Sequence, residues 1–419
     1  MKLRNQLLAL GCLLVFAGFG FLYVTHWVVQ KPFGIILFVS DGMVARHLTA
    51  ARLYEGGADY RLAAESFPNV ALIGNSAHDF AVPDAAAAAT GLATGVKVNH
   101  RALATGPGGE TLRSILGLAH SAGRGAGLVT TASLASPGAA AFYANSPDAR
   151  DTAATATKLI GAPMLDVALG GGAMDFLPKP KGGLRGDGRD LLAELQASGR
   201  ELVRTKAALE DTASYRSTAL VGVFSMGPMA FSDQIESGSE QPSLADMVRR
   251  AIECLETNRK GYVLVVDAAL VTSAAERNDG EHVITETLAL DRAIATAVRY
   301  AGEKSLIIAV GRHAIGGMSL NGYPLRQDHG VALLGTNASG EPAITWSTGP
   351  NGPPPPAAAP APASPPPSPD AKNEPAAFQT PSALNTAEDV IAIGKGPGSD
   401  KLRGFMENTE IFRLLKDAL

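Results

Sequence analysis

Cysteine is nearly absent: two residues in 419, of which Cys12 lies inside an apolar N-terminal run, so no disulfide framework is expected and Cys254 reads as a small buried hydrophobe. Charge of one sign is missing too. The formal net charge of -4 is spread without blocks of like charge, which excludes an electrostatic footprint for nucleic acid or for an anionic membrane surface. No internal repeat is visible. What remains, 46% hydrophobic and 18% charged, is ordinary globular material, enough for one large α/β domain or two small ones.

The first positive signal is topological. Lys2 and Arg4 in a short n-region (residues 1–6) precede an apolar run from Leu7 to Val24 that His26, Trp27, Val28 and Val29 extend toward Lys31. A helix over 7–29 is long enough to span a hydrocarbon core of ~30 Å at ~1.5 Å per residue. Basic residues before it, with Tyr23 and Trp27 at its far end, predict a signal anchor with a cytoplasmic N-terminus and the bulk of the chain periplasmic or extracellular. Secretion after cleavage is the alternative, but no small-x-small cleavage site follows the run.

After Pro32, the run Phe33 to Val39 ends at Ser40, Asp41 and Gly42 and reads as a central strand emptying into a loop. In open α/β sheets ligands bind at such strand ends, which makes Asp41 a candidate site residue. Similar runs fall at 127–131, 261–267 and 305–311, and helical patterns at 243–257 and 284–300 alternate with them, with Ser243 as an N-cap. This alternation predicts a mostly parallel sheet wrapped by helices. Residues 349–381 are rich in proline and alanine and cannot bury a core, so a disordered insert acting as a spacer is expected, with a ligand for a proline-reading domain as the other possibility. The domain thus divides into 33–348 and 382–419, closing with an amphipathic helix from a cap at Asn408.

Several segments, taken in order, carry a resemblance. They are Val39 to Met43, Val82 to Gly91 with Thr94 to Asn99, Leu169 to Gly172 with Phe176 to Pro178, Asp187 to Leu191, Trp346 to Pro350, Thr386 to Val390 and Asn408 to Phe412. Together they resemble the alkaline phosphatases from Phe33 to Leu419. The resemblance implies a three-layer α/β/α sandwich with a mostly parallel central sheet, preceded here by one N-terminal transmembrane helix. It also implies phosphomonoester hydrolysis by a serine nucleophile, two zinc ions, one magnesium ion and a phosphate-gripping arginine. In such chemistry zinc lowers the pKa of the serine hydroxyl, a second zinc stabilises the leaving oxygen, and a guanidinium fork matches two phosphate oxygens.

Placed on this chain, the family pattern fits poorly at those positions. The nucleophile position is Ala85, after Asp84, and a methyl group cannot form a phosphoryl-enzyme. The ligands of the leaving-group zinc fall on Thr272, Glu276 and Asn385, one strong donor where zinc wants about four. Those of the other zinc fall on Asp41, Arg312 and His313, with a permanent cation in place of an anionic ligand. Arg312 then either takes the metal's place and pairs with Asp41, or turns to solvent while Asp41 caps a helix. The magnesium ligands fall on Asp41, Ser136 and Asp267, and a metal-proximal, often acidic position falls on Leu134. At most one residual metal is expected, and a loaded cofactor is not. The phosphate-gripping arginine falls on Arg150, so Arg150 and Arg312 are the candidates for a phosphate-like anion.

Framework motifs are readable while the functional positions diverge, which points to a protein that must fold but need not hydrolyse. The expectation is an anchored, non-catalytic binding or assembly module, a pseudoenzyme. The alternatives are a weak hydrolase in which Asp41, Asp267, Glu276 and His313 hold one metal, and a structural partner, as homodimer or beside an active paralogue.

Overall fold

The computed structural model describes residues 2–26, 31–41, 43–162, 164–213, 219–321, 334–336, 340–353 and 376–419. They form two units, Met1–Pro32 and Phe33–Leu419. The first is a helix over Lys2–His26, beginning earlier than the expected 7–29, whose stretch Leu3–Gly20 is long and apolar enough to cross a membrane. A signal sequence has the same properties.

The second unit is built on a ten-stranded sheet. In chain order its strands are β1 (Gly34–Ser40), β2 (Asn69–Gly74), β3 (Gly125–Ser133), β4 (Val167–Gly171) and β5 (Glu201–Val203), then β6 (Leu220–Val223), β7 (Tyr262–Asp267), β8 (Leu306–Gly311), β9 (Val390–Lys395) and β10 (Arg403–Glu407). Their spatial order is β10-β2-β9-β8-β1-β7-β3-β4-β6-β5. Every pairing is parallel except those of β9, which runs antiparallel to both β2 and β8.

Burial explains why β1 reads as an unbroken apolar run. Ile35, Leu37 and Val39 point into one core, which includes Ala89, Leu92, Ile115, Leu159, Ile411 and Leu415 from the helices on that face. Ile36 and Phe38 point into the other, with Met247, Ile252, Ile284 and Ile294. A strand covered on both faces has no polar side to show, and the result is the expected three-layer sandwich.

The helix ends follow local chemistry. Ser243 caps Leu244–Leu255 by accepting from Asp246 N, while Asp246 reaches back to Ser243 N, a reciprocal box. The long helix starts at Gly280 rather than Ile284, because Asp279 accepts from His282 N and caps it four residues sooner than the apolar period suggests. The closing helix is Asn408–Asp417, and its cap is Glu407, boxed with Glu410, rather than Asn408.

The proline-rich insert is shorter than 349–381. Ala376–Gln379 forms a strand parallel to Ile344–Gly349, so both flanks are ordered, and the expectation of disorder over 354–375 lies outside the described residues.

Candidate functional site

Sheet register assembles the site. Val39 of β1 pairs with Asp267 at the end of β7, Ser40 pairs with Gly311 at the end of β8, and Thr130 of β3 also pairs with Asp267. Asp41, Asp267 and Arg312 therefore lie at the C-terminal ends of three adjacent parallel strands, where side chains from different parts of the chain converge.

There the guanidinium of Arg312 turns inward. Its Nε donates to Asp41 Oδ1 at 2.9 Å and its Nη2 to Asp41 Oδ2 at 2.5 Å, a two-point fork. Its Nη1 donates to Asp267 Oδ1 at 3.2 Å. Of the two placements considered for this arginine, the structure has the buried one. Arg312 is 3% exposed, Asp41 1%, Asp267 0% and His313 1%, so the group lies beneath the surface. Hydroxyls complete the carboxylates: Thr272 Oγ1 donates to Asp41, and Thr130 Oγ1 donates to Asp267 Oδ2 at 2.9 Å. The backbone carbonyl of Arg312 accepts from Asn75 Nδ2 at 3.3 Å, and its N–H donates to Ser40 O.

Space for the guanidinium depends on Gly138. A Cβ there would stand 1.8 Å from Arg312 Nη1 and 3.0 Å from Asp267 Oδ2. The arginine tip is pinned by three hydrogen bonds, so it cannot swing aside at little cost, and only a glycine admits it.

The charges divide unequally. Burial works to raise the pKa of Asp41, but the facing Arg312 and His313, with the hydrogen bonds from Arg312 and Thr272, outweigh it and bring it down to about 2. Asp267 moves the other way. Burial raises it, the single contact from Arg312 offsets this only in part, and the charge of Asp41 raises it further. One cation serves two carboxylates, and its fork favours the charged form of Asp41 more strongly than its single contact favours that of Asp267. Arg312 itself is held more firmly charged: burial opposes this, and the two aspartates prevail. Burial lowers the pKa of His313, favouring a neutral ring.

Some polar atoms here have no partner. Both ring nitrogens of His313 and the hydroxyl of Ser136 are buried without a hydrogen bond, and His313 Nε2 stands 3.6 Å from Asp41 Oδ1. Among the described residues, no group of three or more His, Cys, Asp or Glu side chains is arranged to hold a metal ion.

Ala85 opens the helix Ala85–Thr94, whose cap is Asp84: one carboxylate oxygen accepts from Ala87 N at 2.8 Å and the other from Arg101 N at 2.7 Å. Asn385 donates to Pro83 O at 2.9 Å, tying a late strand to the approach of that helix. Glu276, solvent-exposed just after the helix Leu270–Ala275, has its pKa raised by the partial desolvation of its carboxyl and by Asp41. Leu134 is fully buried core. Arg150 stands apart from the cluster, its side chain 69% exposed and forked on Asp148, whose carboxyl that hydrogen-bonded pairing holds down to about 2. Thr130, Asn75 and Gly138 were not foreseen. Thr130 and Asn75 carry no signal in the sequence, while Gly138 follows Ser136 and Pro137 closely enough to have been suspected.

Comparison with known proteins identifies the family and the fold of this chain. The family model described as alkaline phosphatase matches residues 34–419. Alkaline phosphatase 4 of Bacillus subtilis (strain 168) is 26% identical over 421 residues, covering 91% of this chain and 88% of that one. Alkaline phosphatase of Escherichia coli (strain K12) is 30% identical over 328 residues, covering 67% and 69%. The solved alkaline phosphatase of the Antarctic bacterium TAB5 superposes with a TM-score of 0.71 at 20% identity, covering 93% of this chain and 98% of that one, a likeness of fold.

Proposed function

The chain belongs to the alkaline phosphatase family, and we propose that this member keeps the fold without the hydrolytic centre, serving as a non-catalytic binding or assembly module anchored by its N-terminal helix. The observation that carries this reading is the Arg312 guanidinium, buried and forked on Asp41 with a third bond to Asp267.

Both oxygens of Asp41 face a permanent cation, and a divalent ion placed against them meets that charge at contact range inside a buried, weakly screened site. The residues present do not fit the two zinc ions and one magnesium ion that the family resemblance implies. Ala85 offers no nucleophile, Thr272 spends its hydroxyl on Asp41, and Asn385 spends its amide on Pro83 O. No step of covalent or metal-assisted hydrolysis is therefore assigned to these residues. An anion seeking the two arginines would have to displace Asp148 from Arg150 and two buried carboxylates from Arg312. With the helix as anchor, the folded unit would stand outside the cytoplasm, as the basic residues before the apolar run suggest.

The competing reading is a weak hydrolase with one metal held by Asp41, Asp267, Glu276 and His313. It draws on the unpartnered nitrogens of His313 and the unpartnered hydroxyl of Ser136. Calorimetric titration of the full chain in detergent with zinc decides between the two. The proposal expects no stoichiometric heat at micromolar zinc, and saturable uptake with phosphomonoester turnover overturns it.

A further inference from the structure

A cavity of about 450 Å³ opens beside the helix Ile115–Ser121, walled by that helix and the turn before it, by residues of 141–145, and by Ala104 and Met164. It shares no residue with the cluster of Asp41, Asp267 and Arg312. Its size lies in the range of sites that enclose small organic molecules, ~300–1,000 Å³. Going beyond the reading above and independently of it, we propose that this cavity is a binding site for a small aromatic carboxylate, with its ring against Tyr143 and Met164 and its charge on Arg113.

Charge selects an anion. Acidic residues outnumber basic ones in the chain, 40 against 36, yet no aspartate or glutamate lines the cavity, while Arg113 and His120 do, both of them exposed. The exposed arginines 150 and 189 are each paired with a carboxylate. Arg113 instead donates from Nη2 to the hydroxyl of Ser121 at 2.9 Å and has no ion pair among the described residues. Its other N–H groups are the donors that a carboxylate matches. His120 is already within electrostatic reach of the Asp166 carboxylate, so the head group is assigned to Arg113. Shape selects a flat body. Ala141, Ala144 and Gly117 give low walls, and Tyr143 and Met164 add a ring and a sulfur, both of which pack well on aromatic surfaces. These walls are tied in place: the Tyr143 hydroxyl donates to Leu134 O at 2.9 Å, Ser114 Oγ to Phe142 O at 2.6 Å, and Asn145 Nδ2 to Ala104 O at 2.6 Å and Leu112 O at 3.1 Å. A site held open in this way needs little ordering when a ligand enters.

Gly117 offers a way to block the cavity. A Cβ there would stand 3.6 Å from Arg113 Cγ, 3.6 Å from Ser114 Oγ and 3.7 Å from Met164 Sδ, ordinary contacts with three lining residues, so a larger side chain grown from this helical position enters the cavity. The test titrates the full chain in detergent with 2-naphthoate, and with 2-naphthamide as its neutral counterpart, by calorimetry. Wild type is expected to take up about one equivalent of naphthoate saturably and to bind the amide about tenfold more weakly or worse, the scale of a lost charge-assisted hydrogen bond. Arg113→Ala is expected to weaken naphthoate by a similar factor and leave the amide unchanged. Gly117→Phe is expected to abolish saturable binding of both, leaving only partition into micelles, which is common to every variant. If Gly117→Phe is recovered unfolded, Gly117→Leu is read in the same way. Absence of saturable naphthoate binding by wild type overturns the proposal, as does a folded Gly117 variant that binds like wild type, or an Arg113→Ala protein that keeps its preference for the acid. Displacement of naphthoate by inorganic phosphate overturns it as well, because that places the probe at a phosphate-gripping site. Zinc titration reads only the strand-end cluster, so this proposal and the functional reading can each fail alone.

Discussion

Asp41→Asn removes the charge that Arg312 grips while preserving shape. The cost follows from two routes. Protonating Asp41 mimics the amide. With a native pKa of about 2 against an ordinary value of 3.8, the ionised form contributes ~2 kcal/mol above pH ~4, at ~1.36 kcal/mol per pH unit. This is a lower bound, because the variant also leaves Arg312 with only its weaker contact to Asp267, and breaking one side of a buried pair costs about 3–5 kcal/mol. For a unit of about 390 residues, at ~2.1 cal/mol/K per residue, the unfolding entropy is ~0.8 kcal/mol/K, so the melting temperature should fall by ~3–6 °C at pH 7. The pH dependence has a definite sign. Asp41 has a depressed native pKa, so its contribution is complete above ~4 and is lost as pH falls through ~2. The gap between wild type and variant should therefore close over that window, as followed by calorimetric melting of both proteins at matched pH. Asp267, whose pKa burial and the charge of Asp41 raise, contributes in the opposite sense, and Asp41→Asn relieves part of that rise, so the difference between the two proteins reads the pair of aspartates together. An unchanged melting temperature at pH 7, or a gap that persists undiminished to pH 2, refutes the assignment of Asp41 and Arg312 as a stabilising buried pair.

Two further substitutions probe the neighbourhood. Gly138→Ala forces a methyl against Arg312 Nη1 and is expected to cost about 1–3 kcal/mol as an overpacked site; in an Arg312→Ala background that cost should vanish, and additive melting shifts in the double mutant would show that the contact is not there. Asp84→Ala strips two backbone donors, Ala87 N and Arg101 N, of their acceptor and should destabilise by ~1–2 kcal/mol in denaturant titration; no change in the midpoint would mean that the cap adds nothing.

The architecture was legible where a strand is buried on both faces. β1, β3, β7 and β8 announce themselves as apolar runs, since each alternates between two cores and needs no polar side. β2 and β10 were not read, because Val70, Leu72 and Phe405 face outward and the apolar signal is short and mixed. The site was legible as a set of residues but not as a geometry. Asp41 and Arg312 are 271 positions apart, and what brings them together is the register of β1 against β8. One sequence does not display register between distant parallel strands. For the same reason Thr130 could not be foreseen as a partner of Asp267, which is 137 positions away. Arg150 was chosen by its place in a motif, whereas Asp148, two residues earlier, supplies the carboxylate that holds it.

The position of β9 bears on how such a chain reaches its native state. Val390–Lys395 does not lie at a margin of the sheet; it fills an interior slot between β2 and β8. Until it arrives, those two strands each present an unpaired row of backbone donors and acceptors, the kind of open edge that recruits other chains. A polypeptide emerging N-terminus first thus carries its first eight strands before the one that joins β2 to the rest exists. Productive closure is deferred to the last stretch of synthesis, and topology of this kind folds slowly with its hazards exposed. Any species stopped short of Val390 lacks β10 as well, leaving β2 open on both edges and β8 on one, a substrate for proteases and chaperones rather than a smaller working protein.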